Sequence, residues 1–188
     1  MSWAIALLLW AAGPDASAKV TAKNFASHPA IAAARTVYTE VEKQRAARAL
    51  IEQVRTSEDE CWDWSELRLA TDTSSTARYF FRLGGGQDSV HRHHLYYDAH
   101  GVLRFALLQG GATNNSTNET RIWLSPDGRE IYRKVQMTGP GWTWIEGDPA
   151  MLIRDPGRMF REGVGACRLA QPAKVSLVPP PHSSGGNR

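Results

Sequence analysis

Between Trp62 and Met137 apolar and polar residues alternate in short runs, separated by loops rich in Gly, Ser, Thr and Asn. A period of two is the signature of strands. Six segments read this way: Asp63 to Ala70, Ala77 to Leu83, Val90 to Asp98, Val102 to Gln109, Glu119 to Ser125 and Arg129 to Met137. The clearest junction is Asp98-Ala99-His100-Gly101, which has the residues of a type I turn closed by a left-handed glycine, a three-residue loop with a bulge. Asp98 then pairs with Val102. Counting outward sets Tyr97 opposite Leu103, Leu95 opposite Phe105 and His93 opposite Leu107 on one face, with Tyr96 opposite Arg104 and His94 opposite Ala106 on the other. A second hairpin repeats the plan 27 residues later around Ser125-Pro126-Asp127-Gly128, with Trp123 facing Ile131 and Arg121 facing Arg133. Two similar hairpins in succession predict an antiparallel meander.

Ahead of the meander, Pro29 opens a helical pattern capped by Ser27 or His28, with Ile31, Ala34, Val37, Tyr38 and Val41 as its apolar stripe. Arg48 to Arg55 fits either a continuation of that helix or a strand, and periodicity does not separate the two. The expected class is therefore α+β, an N-terminal helix packed on one face of an antiparallel meander of about six strands. Alternation assigns Leu67, Leu69, Tyr79, Phe81, Leu83, Leu95, Tyr97, Leu103, Phe105, Leu107, Ile122, Leu124 and Tyr132 to the face under the helix. The other face then collects Trp62, Trp64, Arg68, Arg78, Phe80, Arg82, Arg92, His94, Tyr96, Arg104, Arg121, Trp123, Ile131 and Arg133. Within that set, Arg92, Arg104, Arg121, Trp123 and Arg133 are expected to form a helix-free binding face, leaving Leu95, Phe105, Leu107, Ile122 and Leu124 buried.

Composition narrows the class. The 188 residues, 42% of them hydrophobic, suit one domain with tails. Positions 1 to 18 read as an export signal, with an apolar run from Trp3 to Ala12 and Ala16-Ser17-Ala18 as the cleavage site, although no Lys or Arg precedes the run. That run is too short to span a bilayer. Its removal takes away Asp15 and no base, raising the formal charge of +3 by one, too mild for a nucleic-acid-binding surface. The expected organisation is 1–18 signal, 19–28 linker, 29–169 a single α+β domain and 170–188 a tail rich in Pro, Ser and Gly. The destination is periplasmic or extracellular.

Cys61 and Cys167 are the only cysteines. In an exported chain the pair predicts a disulfide, which in the chain-entropy picture contributes ~4 to 5 kcal/mol for a loop of about 100 residues. Two buried thiols are the competing reading. Glu58-Asp59-Glu60 lacks the glycine and ligand spacing of a calcium loop and reads as a solvated linker.

Catalytic signatures are scarce. Gly84-Gly85-Gly86 lacks the Gly-Lys-Ser/Thr of a phosphate loop, and there is no nucleophile elbow and no zinc-protease helix. His91 and His93 point the same way on a strand, about 6 to 7 Å apart, a workable metal pair without an identifiable third ligand. The chain is thus expected to need no cofactor and to be a small binding module, holding a protein, peptide or glycan partner on its arginine and aromatic face. A metal-binding protein or hydrolytic enzyme centred on His91 and His93 is the alternative. The third possibility is that the arginine stems merely cover an exposed sheet.

The segments HHLYYDAHGVLRFALLQGGA and ETRIWLSPDGREIYRKVQMTGPGW, with the helix before them, resemble uncharacterised exported bacterial proteins built from a helix and a meander of YYD-x-x-G-x-L-x-F hairpins. Similar aromatic-aspartate-glycine hairpins occur in the YD repeats of large secreted toxins. The resemblance covers about Ile31 to Trp144. It implies export and the helix-plus-meander fold, and carries no activity or site residue.

Overall fold

In a computed structural model, which describes residues 19–59, 62–140 and 151–162, helix α1 (Pro29–Ala46) precedes seven strands and a short second helix. The strands are β1 (Ile51–Asp59), β2 (Trp62–Thr71), β3 (Ala77–Gly85), β4 (Ser89–Tyr97), β5 (Leu103–Ala112), β6 (Thr117–Leu124) and β7 (Glu130–Thr138). Each pairs antiparallel with the next, so the sheet order follows the chain order, and α2 (Pro156–Glu162) closes the described residues. The α+β meander is as the alternation predicts, with one strand more. Residues 1–18, read above as an export signal, lie outside the described residues, as do both cysteines and positions 170–188.

Local chemistry explains the boundaries. His28 caps α1 by accepting the Ala30 amide on Nδ1 at 3.2 Å, and Pro29 occupies the first turn, where its missing N–H costs nothing. Lys43 and Arg45 in the last turn complement the helix dipole. Arg48 then takes φ of 53°, which ends the helical path, and Ile51 onward becomes β1. The segment that periodicity left open is a strand because β2 offers it a free edge.

The three hairpins β2–β3, β4–β5 and β6–β7, whose turns lie at one end of the sheet, share one design. Asp98 donates its amide to the Val102 carbonyl at 2.9 Å, Gly101 sits at φ 74°, and the Asp98 carboxylate accepts the His100 and Val102 amides. Ser125, Gly128 and Arg129 repeat this between β6 and β7, as do Asp72, Ser75 and Thr76 between β2 and β3. One pair beyond each turn lies a second bulge. Tyr97 pairs with Leu103 as counted from the turn, but Tyr96 pairs with Phe105, leaving Arg104 as the extra residue. Likewise Trp123 faces Tyr132 with Ile131 extra, and Ala70 faces Tyr79 with Arg78 extra.

These bulges correct the expected register. Leu95 lies opposite Ala106, His93 opposite Leu108, His94 opposite Leu107 and Arg121 opposite Lys134. Because side chains alternate, a one-residue shift exchanges faces. The single apolar face therefore divides in two. Leu67, Leu69, Phe80, Leu95, Tyr97, Leu103, Ile122 and Leu124 form one core with Met151, Leu152 and Met159, on the side of α2. Tyr79, Tyr96, Phe105 and Trp123 form the other with Ile31, Ala34 and Val41 of α1, flanked by Phe81, Leu107 and Tyr132. The result is three layers, helix on sheet on helix. Tyr97 locks the second layer through its hydroxyl, which donates to the Ile153 carbonyl at 2.8 Å.

Two bulge residues are buried arginines, and both are paired, as burial of charge demands. Arg78 meets Glu40 of α1 at 2.9 Å and donates to the Tyr97 carbonyl at 3.4 Å. Arg104 meets Asp98 at 3.2 Å and donates to the Leu124 carbonyl at 3.2 Å. Each thus ties its own hairpin to the residue just before the turn of the next hairpin.

Candidate functional site

The α1 face of the sheet is graded in rows that follow the pairing. Nearest the turns, Tyr79, Tyr96, Phe105, Trp123 and Tyr132 make a ladder across five strands, with successive ring centroids 5.2, 5.7, 5.4 and 5.8 Å apart. The same offset from each turn places these rings, so the repeat of the hairpin builds the ladder. α1 crosses β4, β5 and β6 over this row, with Tyr38 set edge-on to Tyr96 and Phe105. Phe25, just ahead of the helix, stacks on Tyr132 at 5.0 Å. Next comes a mixed row, Arg68, Phe81, His94, Leu107, Arg121 and Lys134. The outermost row is Glu66, Leu83, Arg92, Gln109, Glu119 and Gln136. These two rows lie beyond the helix, and their residues are half-buried or exposed.

Where α1 ends its cover of β5 and β6, a cleft of about 340 Å³ opens. Its floor is Phe105, Leu107 and Trp123; Arg35, Tyr38 and Thr39 of α1 form one wall and Arg121 of β6 another. Among the described residues lining it, two are cationic and none is acidic. Arg35 donates to the Ala26 carbonyl at 2.8 Å and lies over the Phe25 ring, while Arg121 meets Glu119 outside the cleft at 2.7 Å. Each guanidinium carries five donors, so a single such bond leaves capacity to bind. Farther along β5 and β6 a polar depression of about 470 Å³ is bordered by Arg92, Gln109, Glu119 and Gln136.

Toward β3 the same face holds a polar pair, Tyr79 buried and His94 half-buried. Tyr79 and His94 share a hydrogen bond of 2.8 Å between the hydroxyl and Nδ1, and the Arg45 guanidinium lies 3.7 Å from the Tyr79 ring centre. Burial, reinforced by the Arg45 charge, pushes His94 down to about 4, and burial raises the Tyr79 phenol above its ordinary value. Both are therefore neutral at pH 7, which suits an apolar layer rather than proton transfer near neutrality.

The five residues expected to form one binding face do not share a side. Arg92 and Arg121 are exposed on the α1 face, beyond the helix. Trp123 is on that face too, but it is buried beneath Phe25, with centroids 5.2 Å apart. Arg104 is interior, 8% exposed. Arg133 faces the opposite side and pairs with Glu130 at 2.7 Å. Neither face of the sheet is free of helix, and the two exposed arginines of the set, Arg92 and Arg121, line the uncovered part of the face that α1 occupies. Reasoning from the sequence missed Arg35 and placed Tyr38 in the apolar stripe, although their spacing of three on a helix puts them side by side.

His91 and His93 are both buried, on the face away from α1, with ring centroids 6.5 Å apart. They share that end with buried Arg82, Ser65, Asn118 and Thr120. Among the described residues no group of three or more His, Cys, Asp or Glu is placed to hold a metal ion. No helix among them is long and apolar enough to cross a membrane. Compared with known proteins, the chain matches no family model, no curated sequence and no solved structure.

Proposed function

We propose that this chain is an exported binding module that holds an anionic partner on the uncovered part of its α1 face. The observation that carries the reading is the cleft between α1 and β5–β6, with an aromatic floor, an arginine on two of its walls and no carboxylate among its described lining. Arg92 and Lys134 extend the positive charge along the neighbouring strands, whereas Arg68 is paired with Glu66 at 2.5 Å and Glu52 at 3.5 Å. Aromatic anchors surrounded by arginine are the composition of binding hot spots. Export is supported by residues 1 to 18 and by the resemblance to exported helix-plus-meander proteins. N-terminal sequencing of the secreted protein should begin at Lys19.

Binding is tested with immobilised polyglutamate as a defined anionic partner. Arg92→Glu with Arg121→Glu should lower retention at least tenfold. Arg129→Glu with Arg158→Glu, which changes net charge equally at exposed positions away from this face, should lower it less than threefold. Equal losses in the two variants would make the attraction a property of net charge, and the reading would fail.

A further inference from the structure

The cleft is specific enough to name a ligand class. We infer that it takes a small aromatic carboxylate, ring against Phe105 and Trp123 and carboxylate between Arg35 and Arg121. The inference rests on the binding reading above and deepens it. About 340 Å³ lies at the low end of the range for small-molecule sites. Phe105 and Trp123 stand 5.4 Å apart at 43°, and Tyr38, itself exposed, meets Phe105 edge-on at 5.6 Å, so a planar ring entering the cleft meets an aromatic floor beside an accessible tyrosine. The floor is prearranged: Phe105 and Trp123 are 7% and 4% exposed and held by the ladder, so little ordering is required on binding.

Charge selects the second half of the ligand. Arg35 from the helix and Arg121 from the sheet belong to different layers, and a carboxylate between them would bridge the two. Guanidinium–carboxylate pairing is directional and stronger than a neutral hydrogen bond. Tyr38 and Thr39 bring hydroxyls to the same wall. A neutral ring would gain the floor but form no ion pair with either arginine, leaving Arg121 to Glu119. A non-aromatic acid would gain the arginines but leave the floor unused.

Isothermal titration of the full chain with indole-3-acetate, and with indole-3-acetamide as its neutral counterpart, tests this. The acid should bind one to one, and the amide at least tenfold more weakly. Arg121→Gln should weaken the acid about tenfold and leave the amide unchanged, and Arg133→Gln on the opposite face should affect neither. Equal affinity for acid and amide, no heat at millimolar ligand, or an unchanged Arg121→Gln would overturn the inference. If polyglutamate retention still depends on Arg92 and Arg121 while the aromatic acid fails, the binding face stands and only its small-molecule ligand falls.

Discussion

Replacing Arg104 with alanine separates an architectural arginine from the surface ones. Its side chain is 9% exposed, and its guanidinium is bonded to the Asp98 carboxylate at 3.2 Å and, through Nε, to the Leu124 carbonyl at 3.2 Å. Losing the donor to Leu124 leaves a carbonyl short of one partner, about 1 kcal/mol. Losing the counter-ion of Asp98 costs less than the 3–5 kcal/mol of a fully orphaned buried charge, because the other carboxylate oxygen keeps the His100 and Val102 amides. The sum is about 2–4 kcal/mol. Arg133→Ala, whose partner Glu130 is on the surface, should cost less than about 1 kcal/mol. Urea denaturation followed by tryptophan fluorescence measures both. A double-mutant cycle with Asp98→Asn, which retains an acceptor for the turn amides, should show coupling of at least about 1 kcal/mol. Arg104→Ala within about 0.5 kcal/mol of the wild type, or a coupling near zero, would refute the role assigned to the bulge. It follows that a binding loss on reversing the charge of Arg104 reports damage to the fold and not contact with a partner.

Three further outcomes can be checked. His94 has a folded pKa of about 4 against about 6.5 unfolded, so its contribution is fully present above pH 6.5 and lost as pH falls toward 4; allowing for its partial solvent contact, the loss is about 1–2 kcal/mol, and His94→Phe should flatten the stability profile between those limits if burial is the cause. Phe105→Ala removes a ring from the middle of the ladder and should cost about 3–5 kcal/mol by thermal or urea unfolding; a cost below about 1.5 kcal/mol would mean that the α1 layer closes over the gap. Gly101→Ala should cost about 1 kcal/mol from its φ of 74° alone, since an added Cβ would meet nothing nearer than a Thr76 methyl at 3.5 Å, and a neutral result would show that the turn relaxes to another type.

The sequence by itself determined what local geometry can decide. Asp98-to-Gly101 and Ser125-to-Gly128 specify their turns because carboxylate or hydroxyl acceptors and a glycine at positive φ satisfy the loop within five residues. Such turns leave consecutive strands antiparallel, so the meander follows, and the proline and apolar stripe of α1 mark that helix. The tertiary structure alone decided which side of the sheet each residue occupies. Tyr96 and Arg104 alternate correctly along their own strands, but their pairing depends on an unpaired residue one step beyond the turn. That bulge persists because Arg104 finds Asp98 in its own hairpin and a carbonyl in the next, a long-range partnership that alternation within one strand does not contain. The recurrence of Asp and Arg six residues apart, at Asp72 and Arg78 and again at Asp98 and Arg104, was the trace of it in the sequence. For the same reason the cleft was invisible beforehand: Arg35 and Arg121 lie on different layers, and only the exchange of faces carries Phe105 and Trp123 together beneath the helix.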